Sequence, residues 1–367
     1  MKRSEQKISQ TVRSTGEDAY FAASNSAGGF HSYYPACFDH ARVGRLYAVK
    51  GGPGTGKSRF LREVAKRGEA DDWHAEYIYC SSDPDSLDGV ILTKEGSDGI
   101  ALLDATAPHV YEPNRPGYRE EIVNLGAFWN ADRLRAETDR IVGLNRKKQN
   151  AYRRAYRYLA GYGEMTAVRD ELVAPFLRKD AIRAYAERLM KDIPDGERFS
   201  EQVALICSVG MSGVVAFDTY FALAEKRYLV EDCRGSAWAM MGELYRIAIK
   251  KKLAVRVSRD PIIPEKIDGL YLPGAKTCFV VSGGEPNALP CRSVSTRRFV
   301  ETENMHDVRG EVNFAERMRR AMLEGALEQL EEVKTVHFAI EDIYIKTMDF
   351  EAKENFTKAF CKSLFGK

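Results

Sequence analysis

The sequence predicts an α/β fold that occurs twice in tandem, each copy a mostly parallel sheet flanked by helices, with long helical insertions or extensions. Three observations predict it. An apolar strand pattern, a Gly-rich turn and an amphipathic helix follow one another between residues 45 and 66. The same order of elements returns in the second half of the chain. Each copy then runs into a long stretch of helical pattern.

Length and pattern suggest more than one domain, because a chain of 367 residues exceeds one comfortable hydrophobic core. A helical pattern follows the first α/β segment and ends where Pro194 and Gly196 interrupt it. The expected segments are a polar lead-in over 1–20, a first α/β domain over 20–126, a basic helical arm over 127–195, a second α/β domain over 196–310 and a helical C-terminal segment over 311–367.

Charge and cysteine content narrow the class of protein. The 55 basic and 53 acidic side chains nearly balance, so the whole chain has no electrostatic commitment to nucleic acid or membrane. The seven cysteines are odd in number and scattered without a C-x-x-C pair, which indicates reduced thiols and no structural zinc site. No apolar stretch approaches the length that spans a bilayer. We therefore expect a soluble, cytoplasmic protein without a membrane partner.

The Gly-rich turn fits the phosphate-binding pattern G-x-x-x-x-G-K-[ST] from Gly51 to Ser58. Glycines there let the backbone turn tightly and bring its N–H groups against phosphate oxygens. Lys57 places a flexible cation beside the β- and γ-phosphates, and the Ser58 hydroxyl is a ligand for Mg²⁺. The helix that begins there adds the positive end of its dipole. The predicted nucleotide contacts are Gly52, Pro53, Gly54, Thr55, Gly56, Lys57, Ser58 and Arg59.

Acidic residues follow the neighbouring strand patterns. Asp104 closes the apolar run Ile100–Leu103, which is the Walker B pattern for a carboxylate that holds Mg²⁺. Asp83 and Asp85 lie in a turn after the second predicted strand, at the sheet edge where ligands bind in open α/β sheets. Candidates to orient an attacking water are Asp83, Asp85 and Glu112, with His109 a candidate to sense or polarise; arginine-finger candidates are Arg115, Arg119, Arg297 and Arg298.

The helical arm is basic and aromatic. Between Ala127 and Ala160 there are nine Arg or Lys and three acidic residues, interleaved with aromatic side chains. Such a run can grip nucleic acid or a polyphosphate. The alternative, which we favour, is a solvated helix whose aromatic residues pack against a partner helix.

An internal repeat appears when the chain is shifted by 181 residues. Tyr47–Lys50 then falls on Tyr228–Glu231, and Gly54–Ser58 falls on Gly235–Ala239. Further on, Asp83-Pro84 matches Asp260-Pro261. Under this alignment the second copy has Trp238 in place of Lys57, Ala239 in place of Ser58, and Val281 or Ser282 in place of Asp104. We therefore expect the second copy to be catalytically dead.

These motifs resemble the P-loop NTPase superfamily and, more narrowly, an uncharacterised bacterial family of tandem P-loop ATPases. The resemblance covers most of the chain and implies two tandem P-loop NTPase-like domains, ATP binding and hydrolysis. The second copy departs from it, because family members keep a usable loop there and this chain does not. The resemblance rests on Gly51–Ser58, on Cys80–Val90, on Thr106–Pro113 and on Ile122–Trp129.

The expected function is a magnesium-dependent ATPase with one active nucleotide site in the first half. ATP or another NTP is the expected nucleotide and Mg²⁺ the expected ion, held by Ser58 and Asp104. One alternative is a nucleotide or small-molecule kinase with an unknown acceptor. The other is a nucleotide switch or nucleic-acid-associated ATPase with a protein partner, which the near-neutral charge does not favour.

Overall fold

The computed structural model describes residues 10–108, 110–282 and 289–366 of an α/β protein with mixed sheets. The first half contains β1 (Thr11–Arg13), β2 (Asp18–Phe21), β3 (Ala23–Ser26), β4 (Gly29–Ser32), α1 (Tyr34–Cys37), β5 (Arg45–Lys50), α2 (Lys57–Ala70), β6 (His74–Tyr79), β7 (Leu87–Thr93), β8 (Ile100–Asp104), β9 (Glu120–Asn124), α3 (Ala131–Ala136), α4 (Thr138–Val173) and α5 (Lys179–Met190).

The second half repeats this series of elements closely. It contains β10 (Ser200–Val203), β11 (Cys207–Gly210), β12 (Gly213–Phe217), α6 (Thr219–Leu223), β13 (Lys226–Glu231), α7 (Ser236–Lys250), β14 (Ala254–Arg259), β15 (Ile267–Leu272), β16 (Thr277–Val281), β17 (Arg292–Ser295), α8 (Arg309–Ile345) and α9 (Phe350–Phe365).

Each half builds a six-stranded sheet with the same order and the same strand directions. The first sheet runs β2-β6-β7-β8-β5-β9 and the second runs β10-β14-β15-β16-β13-β17. All neighbours are parallel except around β7 and β15, which pair antiparallel on both sides. In both sheets the strand before the Gly-containing loop, β5 or β13, lies between two parallel neighbours. The carboxyl ends of these strands therefore share one edge, where ligands bind in open α/β sheets.

The short helices after α4 and α8 are exchanged between the halves. The last helix, α9, packs on α2 of the first half, where Phe360 lies 5.1 Å from Tyr47 and 5.2 Å from Phe60 between ring centroids. In return α5 packs on α7 of the second half, and Tyr185 lies 5.5 Å from Phe299. Each half thus completes the hydrophobic core of the other, and neither helical segment forms a separate arm.

The segments that flank α4 and α8 are joined at two places, called the two helix crossings below. Backbone hydrogen bonds follow the same pattern at both crossings. At the first crossing Asn130 N donates to Thr347 O at 2.8 Å, and at the second Glu301 N donates to Phe176 O at 3.0 Å. A second matched pair is Asp349 N to Phe128 O at 2.8 Å and Arg178 N to Phe299 O at 2.9 Å. The register thus relates residues 128, 130, 176 and 178 to residues 299, 301, 347 and 349.

The long helices α4 and α8 lie side by side in opposite directions. Arg154 on α4 pairs with Glu332 on α8 at 2.6 Å, and aromatic residues of α4 pack into a core cluster with Ala326 and Leu330. Tyr152 on the same helix donates to Ser82 Oγ at 3.1 Å. These contacts agree with the packing interpretation of the basic arm, because Tyr152 and Tyr156 pack inside the molecule, whereas Tyr158 is exposed.

Candidate functional site

The loop between β5 and α2 has the backbone that its glycines predict. Residues 51–56 separate the strand from the helix, and Gly54 and Gly56 have φ angles of +73° and +75°. Only glycine adopts this left-handed conformation without strain. A Cβ on Gly51 would lie 2.7 Å from Thr55 Oγ1, so that position also requires glycine. Thr55 Oγ1 donates to Gly52 O at 2.8 Å and closes the turn.

Lys57 is the first residue of α2, and its side chain turns back over the loop. Its Nζ donates to Gly51 O at 2.8 Å and to Gly52 O at 2.9 Å. Asp104 Oδ2 lies 3.5 Å from the same nitrogen, and the Lys57 side chain is only 12% exposed. The ammonium group therefore lies at the loop, beside the carboxylate that the Walker B pattern predicted.

Asp104 reaches the loop because β8 pairs in parallel with β5, which puts Asp104 opposite Val49. Its Oδ1 accepts a hydrogen bond from Thr106 N at 2.8 Å. Burial raises the pKa of Asp104, Lys57 opposes the rise and the nearby Asp88 carboxylate adds to it. The two carboxylates are close enough to repel each other. A divalent cation between such groups would relieve the repulsion.

Ser58 and Asp88 place further oxygen atoms at the same edge of the sheet as Asp104. Leu87 N donates to Ser58 Oγ at 2.9 Å, which ties the start of β7 to the start of α2. Asp88 follows in the chain and is buried. Mg²⁺ takes oxygen ligands and is held by one or two carboxylates plus phosphates and waters. Ser58, Asp88 and Asp104 fit that ion. Within the described ranges, no group of three or more His, Cys, Asp or Glu side chains could hold a metal by itself.

A cavity of about 210 Å³ lies in front of the loop. Its volume is below the ~300–1,000 Å³ of typical ligand sites, so it suits phosphate groups better than a whole nucleotide. It brings together eight of the sequence-predicted residues: Pro53, Gly54, Thr55, Gly56, Lys57, Ser58, Asp83 and Asp104.

Other predicted residues lie outside the cavity. Asp85 pairs with Arg13 at 2.6 Å, and Glu112 is 72% exposed and pairs with Lys50 at 2.9 Å. Arg59 points to solvent and pairs with acidic residues of α2 and α9. The ring of Tyr344 covers Gly52, where a Cβ would lie 2.8 Å from it. A strand's carboxyl end fixes the edge that a residue joins, but not the direction of its side chain.

The predictions for His109 and for the candidate arginines have different outcomes. His109 lies outside the described residues, so the structure does not place it. Among the cavity-lining residues that the structure describes there is no arginine, so none of Arg115, Arg119, Arg297 and Arg298 reaches this site.

The long helices α4 and α8 contribute four cavity residues that are not among the predicted site residues. Lys148 and Tyr152 come from α4, and His337 and Glu341 come from α8. Lys148 Nζ lies 3.1 Å from His337 Nδ1. Burial lowers the pKa of Lys148, and burial together with the Lys148 charge lowers the pKa of His337 to about 4. Burial raises the pKa of Glu341, and the backbone amide of Gly54 opposes that rise. No local motif marks these residues, since they meet the loop only through the packing of α4 and α8.

The loop of the second half is shorter than the alignment predicted. Only residues 232–235 separate β13 from α7, against 51–56 in the first half. Trp238 is the third residue of α7, whereas Lys57 is the first residue of α2. The prediction that Trp238 replaces Lys57 and Ala239 replaces Ser58 was therefore wrong in register. Four residues cannot form the six-residue loop, so the second half lacks the phosphate-binding turn as well as a counterpart of Lys57.

Arg169 fills the space beside the short loop. Its side chain is 1% exposed and pairs with Asp170 at 2.6 Å and with Glu316 at 3.0 Å. A Cβ on Gly235 would lie 2.7 Å from Arg169 Nη2. The guanidinium also lies 5.4 Å from the ring centroid of Trp238, a cation–π distance. The positive charge at this loop therefore comes from the protein itself.

Strand pairing decides between the two residues predicted at the acid position, and a turn hydrogen bond corrects another alignment. Val230 pairs with Val281 as Val49 pairs with Asp104, so Val281 occupies the position of the Walker B acid. The turn bond from Ser86 N to Asp83 O, 2.9 Å long, is repeated by Lys266 N to Ile263 O at 2.9 Å. Asp83 therefore corresponds to Ile263, and the match of Asp83-Pro84 with Asp260-Pro261 was displaced by three residues.

The second half has a larger cavity, about 480 Å³, lined by apolar side chains together with Trp238, Asp260 and Asp268 and by two arginines, Arg319 and Arg320. Burial raises the pKa of both aspartates. The described lining includes neither a lysine nor a loop like residues 51–56. We therefore place the phosphate-binding chemistry at the smaller cavity, because the arginines of the larger cavity do not lie beside a phosphate loop and Arg319 already pairs with Glu316.

Comparison with known proteins gave no relative. No family model, curated protein or solved structure matches this chain. In the part of the chain that the structure describes, no helix combines the length and the apolar character that a membrane crossing needs.

Proposed function

We propose that this chain is a magnesium-dependent ATPase, acting on ATP or another NTP, with a single nucleotide site at residues 51–58. The observation that carries the proposal is the meeting of a glycine loop, Lys57, Ser58 and Asp104 at one cavity. Each group has a phosphate or magnesium role that plain packing does not require. The side chains of Lys57 and Asp104 are only 12% and 13% exposed and lie 3.5 Å apart on the cavity wall, and a charged pair of low exposure in a cavity is typical of a functional site.

Each residue has a distinct part in this proposal. Backbone N–H groups of the loop and Lys57 bind the phosphates. Mg²⁺, when bound, neutralises charge on the phosphate oxygens, and Ser58, Asp88 and Asp104 are the residues that would hold it. Asp83 lines the same cavity and is the remaining predicted acid with access to an attacking water. Positioning and charge neutralisation are the main demands of phosphoryl transfer, so these groups suffice.

The second half is, in this proposal, a duplicated P-loop-like domain that has lost its chemistry. Two six-stranded sheets with the same order and directions support the duplication. The loss of function is supported by the shorter loop at 232–235, by Val281 at the acid position and by Arg169 beside Gly235. The retained fold of this half completes the core of the first through α9.

The test is phosphate release from ATP by the full chain, with Mg²⁺ and with EDTA. We expect Mg²⁺-dependent turnover that Lys57→Ala reduces by a factor of about 1,000, with an unchanged circular dichroism spectrum. Lys66→Ala is the matched control, because Lys66 lies exposed on the same helix. Equal turnover by Lys57→Ala and the parent would overturn the site. Absence of both nucleotide binding and turnover in the parent would overturn the function.

A further inference from the structure

The cavity in front of the loop is lined by a second cation from a distant part of the chain. Among the described lining residues the cations are Lys57, on the loop helix, and Lys148, on α4. Lys57 is engaged by two loop carbonyls. Lys148 enters from outside the loop and has a different environment.

Lys148 has a neutral partner where a buried ammonium group would ordinarily have a carboxylate. Its Nζ lies 3.1 Å from His337 Nδ1. The His337 pKa is lowered to about 4, so the ring is neutral near pH 7 and Nδ1 accepts the hydrogen bond. Within the described residues Lys148 forms no ion pair, and Glu341 acts on it only at longer range. A partly buried cation without a paired carboxylate is less favourable than one that an anion joins.

In the second half, the residue that corresponds to Lys148 is also a cation, but a carboxylate of the protein neutralises its charge. The register of the two helix crossings relates Lys148 to Arg319 and His337 to Thr166. Arg319 Nε donates to Thr166 Oγ1 at 2.8 Å, as Lys148 donates to His337. Arg319 also pairs with Glu316 at 2.8 Å.

The residue related to Glu316 in the first half is Asn145, which is not acidic. The cation therefore keeps a protein carboxylate in the half without a phosphate loop, and lacks one in the half that has the loop. This difference points to an anionic ligand at the first position.

We infer that Lys148 is a second phosphate-binding cation that contacts the γ-phosphate of the bound nucleotide and stabilises the charge that develops there during hydrolysis. This inference rests on the proposed function and assigns to a lysine of α4 the role that the sequence predicted for an arginine. The transferred phosphoryl group spreads negative charge over its oxygens in the transition state, and an added cation lowers that barrier. His337 is a positioning residue, because it holds the ammonium group through a hydrogen bond.

The test compares three variants of the full chain. Lys148→Gln keeps a hydrogen-bond donor for His337 and removes the charge, Lys148→Arg restores a cation, and Lys147→Gln is the matched control, because Lys147 is exposed next to it. For Lys148→Gln we expect kcat to fall about 100-fold or more, whereas ADP affinity changes less than about threefold. ADP with aluminium fluoride mimics the transition state, and its binding should weaken in parallel with kcat. Lys148→Arg should recover part of the loss, and Lys147→Gln should behave as the parent.

The outcomes separate this inference from the proposed function. Turnover by Lys148→Gln within about threefold of the parent would overturn the inference alone. Equal losses in ADP and ADP–aluminium fluoride affinity would also overturn it, because they would show uniform binding rather than a γ-phosphate contact. A parent chain that neither binds nor hydrolyses ATP would overturn both. Thermal unfolding of every variant checks that the fold is intact.

Discussion

The two glycine-containing loops follow equivalent strands, β5 and β13, in sheets of the same order, and yet they offer a ligand very different surfaces. Residues 51–56 curve around a cavity that contains Lys57 and Asp104. Residues 232–235 are two residues shorter and have the buried Arg169 against Gly235. A sheet can therefore be retained while its loop loses function, because the sheet depends on apolar packing and the loop on length and charge.

The helices that cover the two loops show the same contrast. The register of the helix crossings relates Arg169 and Asp170 of α4 to Ile340 and Glu341 of α8. The Arg169 guanidinium lies at the short loop, whereas the Glu341 carboxylate lies at the long loop and the residue in the position of Arg169 is apolar. Positive charge at the long loop thus comes from Lys57 and Lys148, which line a cavity open to a ligand.

The largest effect should follow from removing the cation of the second loop. Arg169→Met removes a fully buried cation and its pairs with Asp170 and Glu316, which then keep Lys266 and Arg319 as partners, and breaking a buried ion pair destabilises a fold by about 3 kcal/mol or more. We expect the free energy of unfolding in urea to fall by this amount, while nucleotide turnover by the folded fraction stays unchanged. The exposed Arg157→Met is the control and should cost less than about 0.5 kcal/mol. A loss of turnover without a loss of stability would contradict the assigned roles of the two loops.

The next effect concerns the acid that differs between the halves. Asp104→Asn should reduce kcat about 100-fold and raise the Mg²⁺ concentration needed for half-maximal turnover. Val281→Asn, at the matching position of the second sheet, should change neither. Phosphate release as a function of Mg²⁺ concentration measures both. The comparison breaks down if the two substitutions have equal effects on turnover.

A smaller effect distinguishes the helix contacts, since His337 is related to Thr166, which does not titrate. The pKa of His337 is lowered from 6.5 to about 4, so the unfolded chain binds more protons between these pH values. Stability should therefore be full above about pH 6.5 and fall as the pH decreases toward 4, by on the order of 2 kcal/mol. Urea unfolding of His337→Asn across this range should show a shallower pH dependence. An identical slope in the variant and the parent would exclude His337 as a contributor.

The smallest effect is expected at the hydroxyl groups that close the two turns. Thr55 Oγ1 donates to Gly52 O at 2.8 Å, and Ser236 Oγ donates to Cys233 O at 2.7 Å. Thr55→Ala and Ser236→Ala should each cost about 1 kcal/mol of stability. Only Thr55→Ala should also weaken nucleotide binding, because its turn shapes the phosphate loop. Calorimetric titration with a nucleotide would show the difference.

Local patterns predicted the parts of the site that local sequence determines. Gly54, Gly56 and Lys57 follow from one short motif, and Asp104 follows from an apolar strand that ends in an acid. The loop register in the second half could not be read this way, because a shift that aligns the strands does not reveal where the following helix begins.

The rest of the site depends on contacts between distant segments. Lys148 and His337 meet because α4 and α8 lie together in opposite directions. Neither helix carries a motif that indicates this contact, and a one-turn shift of either helix would separate the two side chains. The exchange of α5 and α9 between the halves is equally absent from any local pattern, since each helix is amphipathic and would pack on either sheet.

The central claim is that one loop binds a nucleotide and the other does not. Isothermal titration of the full chain with Mg²⁺ and a non-hydrolysable ATP analogue tests it most directly, with Lys57→Ala titrated beside the parent. The account predicts one nucleotide per chain in the parent and none in Lys57→Ala. Two nucleotides per chain, or one that Lys57→Ala retains, would contradict it.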